Sequence, residues 1–213
     1  MRIISPSLLA ANFSNILKDI KSVEKAGVNR LHLDVMDGHF VPTITFGPFI
    51  IESIRKITNC HLEAHLMINN TNEMLDQYIE AGSDTIIIHL ESSINPIDEL
   101  KYIRKKNKIA GIALNPNTSE ELIRPLLDYI DYILIMSVHP GKGGQSFIID
   151  TLNKMNNIVK MTKDLNITIA VDGGVNVKTI NQIYSTGIDI VIVGSGLFSA
   201  NNINKRYKNL LNA

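Results

Sequence analysis

Two histidines and two aspartates, His32, Asp34, His65 and Asp172, have the donor chemistry to hold one divalent cation. His32 and Asp34 stand two residues apart in residues 31–40, LHLDVMDGHF. That stretch reads as a β-strand stopped by an Asp37-Gly38 turn. Strand side chains alternate, so His32, Asp34 and Met36 share one face, and Leu31, Leu33 and Val35 the other. An imidazole and a carboxylate on one strand face suit two ligands of a cation, or a base held by a histidine. A hydrogen-bonded pair in a core would have the same spacing. The same alternation in residues 61–67, HLEAHLM, puts His61, Glu63, His65 and Met67 on one face. Imidazole plus carboxylate suits Zn²⁺, Fe²⁺, Co²⁺ or Mn²⁺ better than Mg²⁺ or Ca²⁺, which prefer oxygen shells. No thiolates join the set, so a closed structural zinc site is disfavoured against a catalytic metal. Glu63 sits one step deeper than His65. It either orients a ligand histidine or forms a salt bridge inside the core.

Glycine-rich segments offer a second chemistry. Gly141, Gly143 and Gly144 follow one apolar run, Gly173 and Gly174 follow another, and Gly194-Ser195-Gly196 follow the last. Glycine lets backbone N–H groups approach an anion, and a helix start adds favourable partial charge, so these segments point to phosphate. Met36, Met67 and Met136 each fall on the side of a polar candidate, at or beside a strand end. They form a dry collar that shields the metal from bulk water, where core filling is the plainer role for methionine.

The elements that must position these residues alternate along the chain. Strands are expected over 3–7, 30–36, 61–67, 85–89, 109–114, 130–137, 168–172 and 190–193. Helices are expected over 15–26, 48–57, 72–81 (capped by Thr71), 96–106, 120–127 (capped by Ser119), 150–165, 177–185 and 202–211. About eight strand–helix units without a linker imply a parallel sheet covered by helices. In so short a chain they fit a single (β/α)8 TIM barrel of minimal size spanning residues 1–213, an α/β fold. An open doubly wound sheet is the alternative. In a barrel the active site lies at the carboxyl ends of the strands. Ser7, His32, Asp34, Met36, His65, Met67, Met136, Ser137, Asp172, Gly194 and Ser195 all fall at or near such ends, which favours a site over a scattered polar core.

Composition excludes several classes. Formal net charge is zero, and residues 104–108 (RKKNK) read as a solvated helix end, which argues against nucleic acid or an anionic membrane as partner. Cys60 is the single cysteine, so no internal disulfide is possible, in keeping with a reducing compartment. The first residues lack the apolar core of a signal peptide, and no run reaches membrane-spanning length. A cytoplasmic enzyme of a small molecule is expected. A Schiff-base aldolase would want a lysine ending a strand, and none is found.

Taken together the motifs resemble the ribulose-phosphate 3-epimerase family: SPSLLAANF at 5–13, HLDVMDGHFVP at 32–42, HLM at 65–67, LNP at 114–116, MSVHPGKGGQSF at 136–147, VDGGV at 171–175 and VGSGLF at 193–198. The resemblance runs the full length, in order. It implies a barrel with one divalent metal per subunit that interconverts D-ribulose 5-phosphate and D-xylulose 5-phosphate in the pentose phosphate pathway. By the resemblance His32, Asp34, His65 and Asp172 are the metal ligands, and Asp34 and Asp172 the acid–base pair acting at C3 through a metal-stabilised enediolate. Ser7, His65, Gly141, Lys142, Gly143, Gly144, Asp172, Gly173, Gly174, Gly194 and Ser195 are the substrate contacts it implies. It also implies a homo-oligomer. Thr43, Asn12, His139 and Lys142 depart from the residues usual in the family. Rival readings are a 3-epimerase of a related ketose phosphate such as D-allulose 6-phosphate, a lyase or decarboxylase on a phosphate-binding barrel, and a non-catalytic phosphosugar-binding barrel.

Overall fold

A computed structural model describes residues 2–213. The chain runs through β1 (Ile3–Pro6), α1 (Ile16–Ala26), β2 (Arg30–Met36), α2 (Pro48–Arg55), β3 (His61–Met67), α3 (Thr71–Glu80), β4 (Thr85–His89), α4 (Pro96–Lys105) and β5 (Ile109–Leu114). It continues through a 3₁₀ segment (Glu120–Tyr129), β6 (Tyr132–Met136), α5 (Thr151–Met161), β7 (Thr168–Asp172), α6 (Ile180–Ser185), β8 (Ile190–Val193), α7 (Ser195–Phe198) and α8 (Ile203–Leu211). Every paired strand is parallel, and β1 lies beside β8. A parallel bridge between Ser7 and His32 joins β1 to β2 and closes the ring. The fold is a (β/α)8 barrel, not an open sheet.

Alternation splits each strand between two cores. Leu31, Leu33 and Val35 of β2 face outward and pack with helix residues such as Ile20 and Val23 of α1. The inward side chains divide the barrel interior into sectors. Ile87, Ala113, Tyr132, Leu134, Met136, Ala170, Ile190 and Ile192 make an apolar sector on β4 to β8. Ser5, Arg30, His32 and Glu63 make a polar sector on β1 to β3, with every member bonded to another. Buried polar groups persist only when paired in this way.

Several element boundaries differ from the sequence expectation. Thr71 does not cap α3: it lies inside the helix with its hydroxyl buried and unpartnered, and Asn70 precedes it in the left-handed region at φ 55°. Residues 120–129 wind as 3₁₀ because Pro125 lacks the N–H that an α-helical bond would need. Ser119 caps that segment as expected, accepting from the Glu121 N–H. The 150–165 helix ends at Met161, where the Thr162 hydroxyl donates back to the Ile158 carbonyl. Asn176 and Thr179 form a side-chain-bonded turn that delays α6 to Ile180.

Candidate active site

The carboxyl ends of the strands surround a cleft of about 960 Å³. Asp34 enters it from β2, held on both sides. The Ser7 hydroxyl donates to its Oδ2 at 2.5 Å, and the Thr45 hydroxyl donates to its carbonyl at 2.6 Å. Thr45 also accepts from the Met36 N–H at 3.0 Å, so the returning loop clamps the end of β2. Asp37 is part of that loop and not of the chemistry. Its carboxylate accepts the N–H groups of His39, Phe40 and Asn69 and so shapes the turn.

His32, Asp34, His65 and Asp172 each turn one ligand atom toward the others, all within 4.8 Å of one another. His65 Nδ1 lies 3.1 Å from Asp34 Oδ1 and 3.2 Å from His32 Nε2. Both imidazoles are fully buried. The register makes this possible: Asp34 pairs with His65 across β2 and β3, and Met136 with Asp172 across β6 and β7. Two nitrogens and two carboxylates in a dry site leave acceptor atoms facing acceptor atoms. Protons or a shared cation relieve that, and the mixed nitrogen and oxygen set fits a divalent cation of the borderline class.

Ionisation differs sharply across the site. Burial opposes charge on Asp34, but the facing His32 and His65 outweigh it and hold the carboxyl well below the usual range. Asp172 lacks such close partners. Burial, then the charge of Asp34, pushes it up to about 7. Burial disfavours the His32 cation, yet Asp34 and Glu63 raise it to about 10. Burial and the neighbouring His89 and His32 lower His65 to about 4. Glu63 forms a salt bridge inside the barrel and also reaches His32, a candidate ligand. It pairs with Arg30 at 2.5 Å, accepts from Ser5 at 2.7 Å, and places Oε2 3.3 Å from His32 Nδ1.

The glycine segments form the opposite wall. Gly173 and Gly174 both have positive φ, and a Cβ at Gly174 would sit 2.4 Å from the Phe147 nitrogen. The loops after β6 and β7 therefore touch backbone to backbone. The Ser137 hydroxyl ties them, donating to the Asp172 and Gly173 carbonyls at 2.9 and 2.7 Å. Gln145 braces the β6 loop through the His139 and Lys142 carbonyls.

A sequence profile described as "Ribulose-phosphate 3 epimerase family" matches residues 3–198. The chain belongs to this family. The ribulose-phosphate 3-epimerase of Chlamydia muridarum is 40% identical over 213 residues, covering 98% of this chain and 93% of the relative. That of Bacillus subtilis is 37% identical over 198 residues, covering 92% and 91%. The crystal structure of KGPDC from Streptococcus mutans superposes with a TM-score of 0.71 at 16% identity, covering 99% of this chain and 95% of that one. At that identity the likeness is one of fold. Among the described residues no helix is long and apolar enough to cross a membrane.

In this epimerase family member the cleft gathers the residues singled out in the sequence. Ser7, Asp34, Gly141, Lys142, Gly143, Gly144, Asp172, Gly173, Gly174, Gly194 and Ser195 line it. Met36, Met67 and Met136 line it too and are almost fully buried. His32 and His65 lie beneath its floor. Of the four unusual positions, Thr43 donates to the Gly141 carbonyl at 2.5 Å and links the β2 loop to the β6 loop. Asn12 caps a short 3₁₀ turn by accepting from Ser14. His139 and Lys142 are exposed. Sequence reasoning missed three side chains. His89 ends β4 fully buried against His65, with Glu91 behind it. Arg206 reaches the cleft from α8 and donates to the Gly196 carbonyl at 2.8 Å. The inward parity of His89 on β4 was a readable signal. Nothing local marks Arg206, because α8 meets the cleft only through tertiary packing.

Proposed function

We propose that the chain is a cation-assisted epimerase that interconverts D-ribulose 5-phosphate and D-xylulose 5-phosphate, as a cytoplasmic step of the pentose phosphate pathway. One observation carries the reading: two carboxylates from strands β2 and β7, Asp34 buried and Asp172 half-buried, face one site with opposite ionisation tendencies. Epimerisation at C3 needs a base on one face of the sugar and an acid on the other. Asp34, held ionised, takes the C3 proton, and the electron pair moves to the C2 oxygen. Asp172, which holds a proton near neutrality, returns one to the opposite face. The roles exchange in the reverse direction. Each carboxylate has two oxygens, so ligation and proton transfer need not compete. The bound divalent cation, held by His32, Asp34, His65 and Asp172, supplies Lewis-acid stabilisation of the charge on the oxygen.

The remaining lining residues serve the sugar phosphate. Ser7 orients Asp34 and stands within reach of the sugar. The segments Gly141–Gly144, Gly173-Gly174 and Gly194-Ser195 bring backbone N–H groups to the phosphate. Arg206 and Lys142 are the two cations lining the cleft, and neither forms a salt bridge among the described residues. Arg206 keeps donors free for a dianion. Met36, Met67 and Met136 keep water from the reacting carbon.

The test is deuterium incorporation from D₂O at C3 of D-ribulose 5-phosphate, before and after chelation, with metal add-back. Exchange with D-xylulose 5-phosphate formation that stops on chelation and returns with Zn²⁺ or Fe²⁺ is expected. No exchange by metal-replete protein overturns the substrate assignment, and D-allulose 6-phosphate would then be assayed. Asp34→Asn or Asp172→Asn should each lower kcat by about 10²–10⁴-fold. A double variant that epimerises normally overturns the two-carboxylate mechanism.

A further inference from the structure

His89 takes no part in the proton transfers above, yet it is fully buried and packed against a candidate cation ligand. Its ring stacks on His65, centroids 5.0 Å apart and planes 23° from parallel. The two Nε2 atoms face each other at 2.8 Å. On the far side His89 Nδ1 lies 3.0 Å from Glu91 Oε2. The other Glu91 oxygen accepts the Asn115 N–H at 2.7 Å and the Thr118 hydroxyl. Phe40 covers the open face of the His89 ring, centroids 4.8 Å apart.

Proton placement along this chain follows from which groups can donate. An ionised carboxylate only accepts, so Glu91 requires hydrogen on His89 Nδ1. A cation held at His65 Nδ1 would leave the single His65 hydrogen on Nε2, and His89 receives it at a bare Nε2. Two bare nitrogens cannot face each other at 2.8 Å, so His65 carries its hydrogen on Nε2. His65 Nδ1 is left bare, and it is the nitrogen that faces Asp34 Oδ1 and His32 Nε2. The opposite tautomer would set a bare His89 Nδ1 against the Glu91 carboxylate. Behind His32 the carboxylate stands one link nearer, since its Nδ1 meets Glu63 directly, and a cation between the ligands would be what lets His32 Nε2 and His65 Nδ1 face each other bare at 3.2 Å.

We propose that Glu91 and His89 form a positioning relay that fixes the tautomer and ring plane of His65, so that its Nδ1 is presented to the divalent cation. The relay rests on the cation reading above. It assigns His89 and Glu91 no contact with substrate. Such partners behind a ligand histidine typically govern metal affinity by about 10–100-fold.

The experiment uses the full chain stripped of metal and titrated with Co²⁺ against a competing chelator, with the Co²⁺ absorption spectrum recorded. Glu91→Gln and His89→Leu should weaken Co²⁺ binding by about 10–100-fold and alter the spectrum. His89→Gln keeps an acceptor for the His65 Nε2–H and should lose less. Long-range ¹H–¹⁵N spectra of the wild-type chain should show His65 protonated on Nε2 and bare on Nδ1, and Glu91→Gln should mix the two tautomers. This second readout needs no substitution to support the relay. Wild-type affinity in both Glu91→Gln and His89→Leu, or a wild-type His65 protonated on Nδ1, overturns the relay alone. A wild-type chain that takes up no Co²⁺ overturns the cation reading, and the relay with it.

Discussion

Asp34 and Asp172 are the same side chain in two settings. One faces two imidazoles and the other faces mostly its partner's negative charge, which separates their ionisation. A consequence appears for the chain without the proposed cation. Asp172 then holds a proton below about pH 7, and His32 holds one below about pH 10. His32 must shed its proton when the cation binds, because an imidazole ligates through a bare nitrogen, whereas Asp172 can ligate through one oxygen and keep a proton on the other. Zn²⁺ uptake should therefore weaken on acidification and release about one proton at both pH 6 and pH 8. Calorimetry in buffers of different ionisation enthalpy reads this directly. A second proton released at pH 6 but not at pH 8 would show that Asp172 gives up its proton on ligation and would remove it as the acid. Arg206 gives a prediction that separates binding from chemistry. Arg206→Ala should raise KM for the sugar phosphate and weaken inhibition by inorganic phosphate by about tenfold or more, with kcat little changed. A fall in kcat at unchanged KM would remove Arg206 from the phosphate end.

At the scale of elements, the strands are placed by alternation and the loops by side-chain ties. The period-two pattern of β2 and β3 was readable because one face is aliphatic and the other polar. The ties were not: Thr45 to β2, Thr43 to the β6 loop and Ser137 to β7 all span residues distant in sequence. Helix ends failed for the same reason. Thr71 looked like a cap, but tertiary packing drew it into α3 with its hydroxyl unpartnered. The β7 loop carries a sharp steric demand. Gly174→Ala would force a Cβ into the Phe147 backbone at a positive φ. The expected result is a displaced β6 loop, with phosphate affinity down about tenfold or more and the barrel still folded. Wild-type inorganic phosphate inhibition in a folded Gly174→Ala chain would dissociate that contact from anion binding.

For the whole molecule, the division of the barrel interior into polar and apolar sectors couples the site to stability. Burial opposes charge on Glu63, but His32, Arg30 and Ser5 outweigh it and hold the group down at about 2. Burial also opposes charge on Glu91, and His89, Thr118 and the Asn115 N–H bring it to about 2. Both values lie below the ordinary 4.5. A depressed carboxyl adds stability above the unfolded value and loses it as the pH falls through the folded one. The stability from Glu63 is thus complete above about pH 4.5 and lost progressively toward about pH 2. Denaturant unfolding followed from pH 5 to pH 2 should show a steep acid limb in the wild-type chain and a flatter one in Glu63→Gln. Equal slopes would mean that Arg30 and His32 do not hold that charge in the folded state.

The sequence by itself determined the barrel and most of its site. Eight apolar runs separated by amphipathic stretches leave few topologies, and strand parity puts His32, Asp34, His65 and Asp172 on the inward face, with position along each strand setting them toward one end. Residue types then pointed to the chemistry proposed above: a borderline cation, paired carboxylates and an anion cradle. Only the tertiary structure decided which group stands behind which. Strand register set His89 against His65, helix packing brought Arg206 into the cleft, and the enclosing interior drove two identical carboxyl groups to opposite states of ionisation. Those outcomes depend on distance and exclusion of water, quantities that no local stretch of chain encodes.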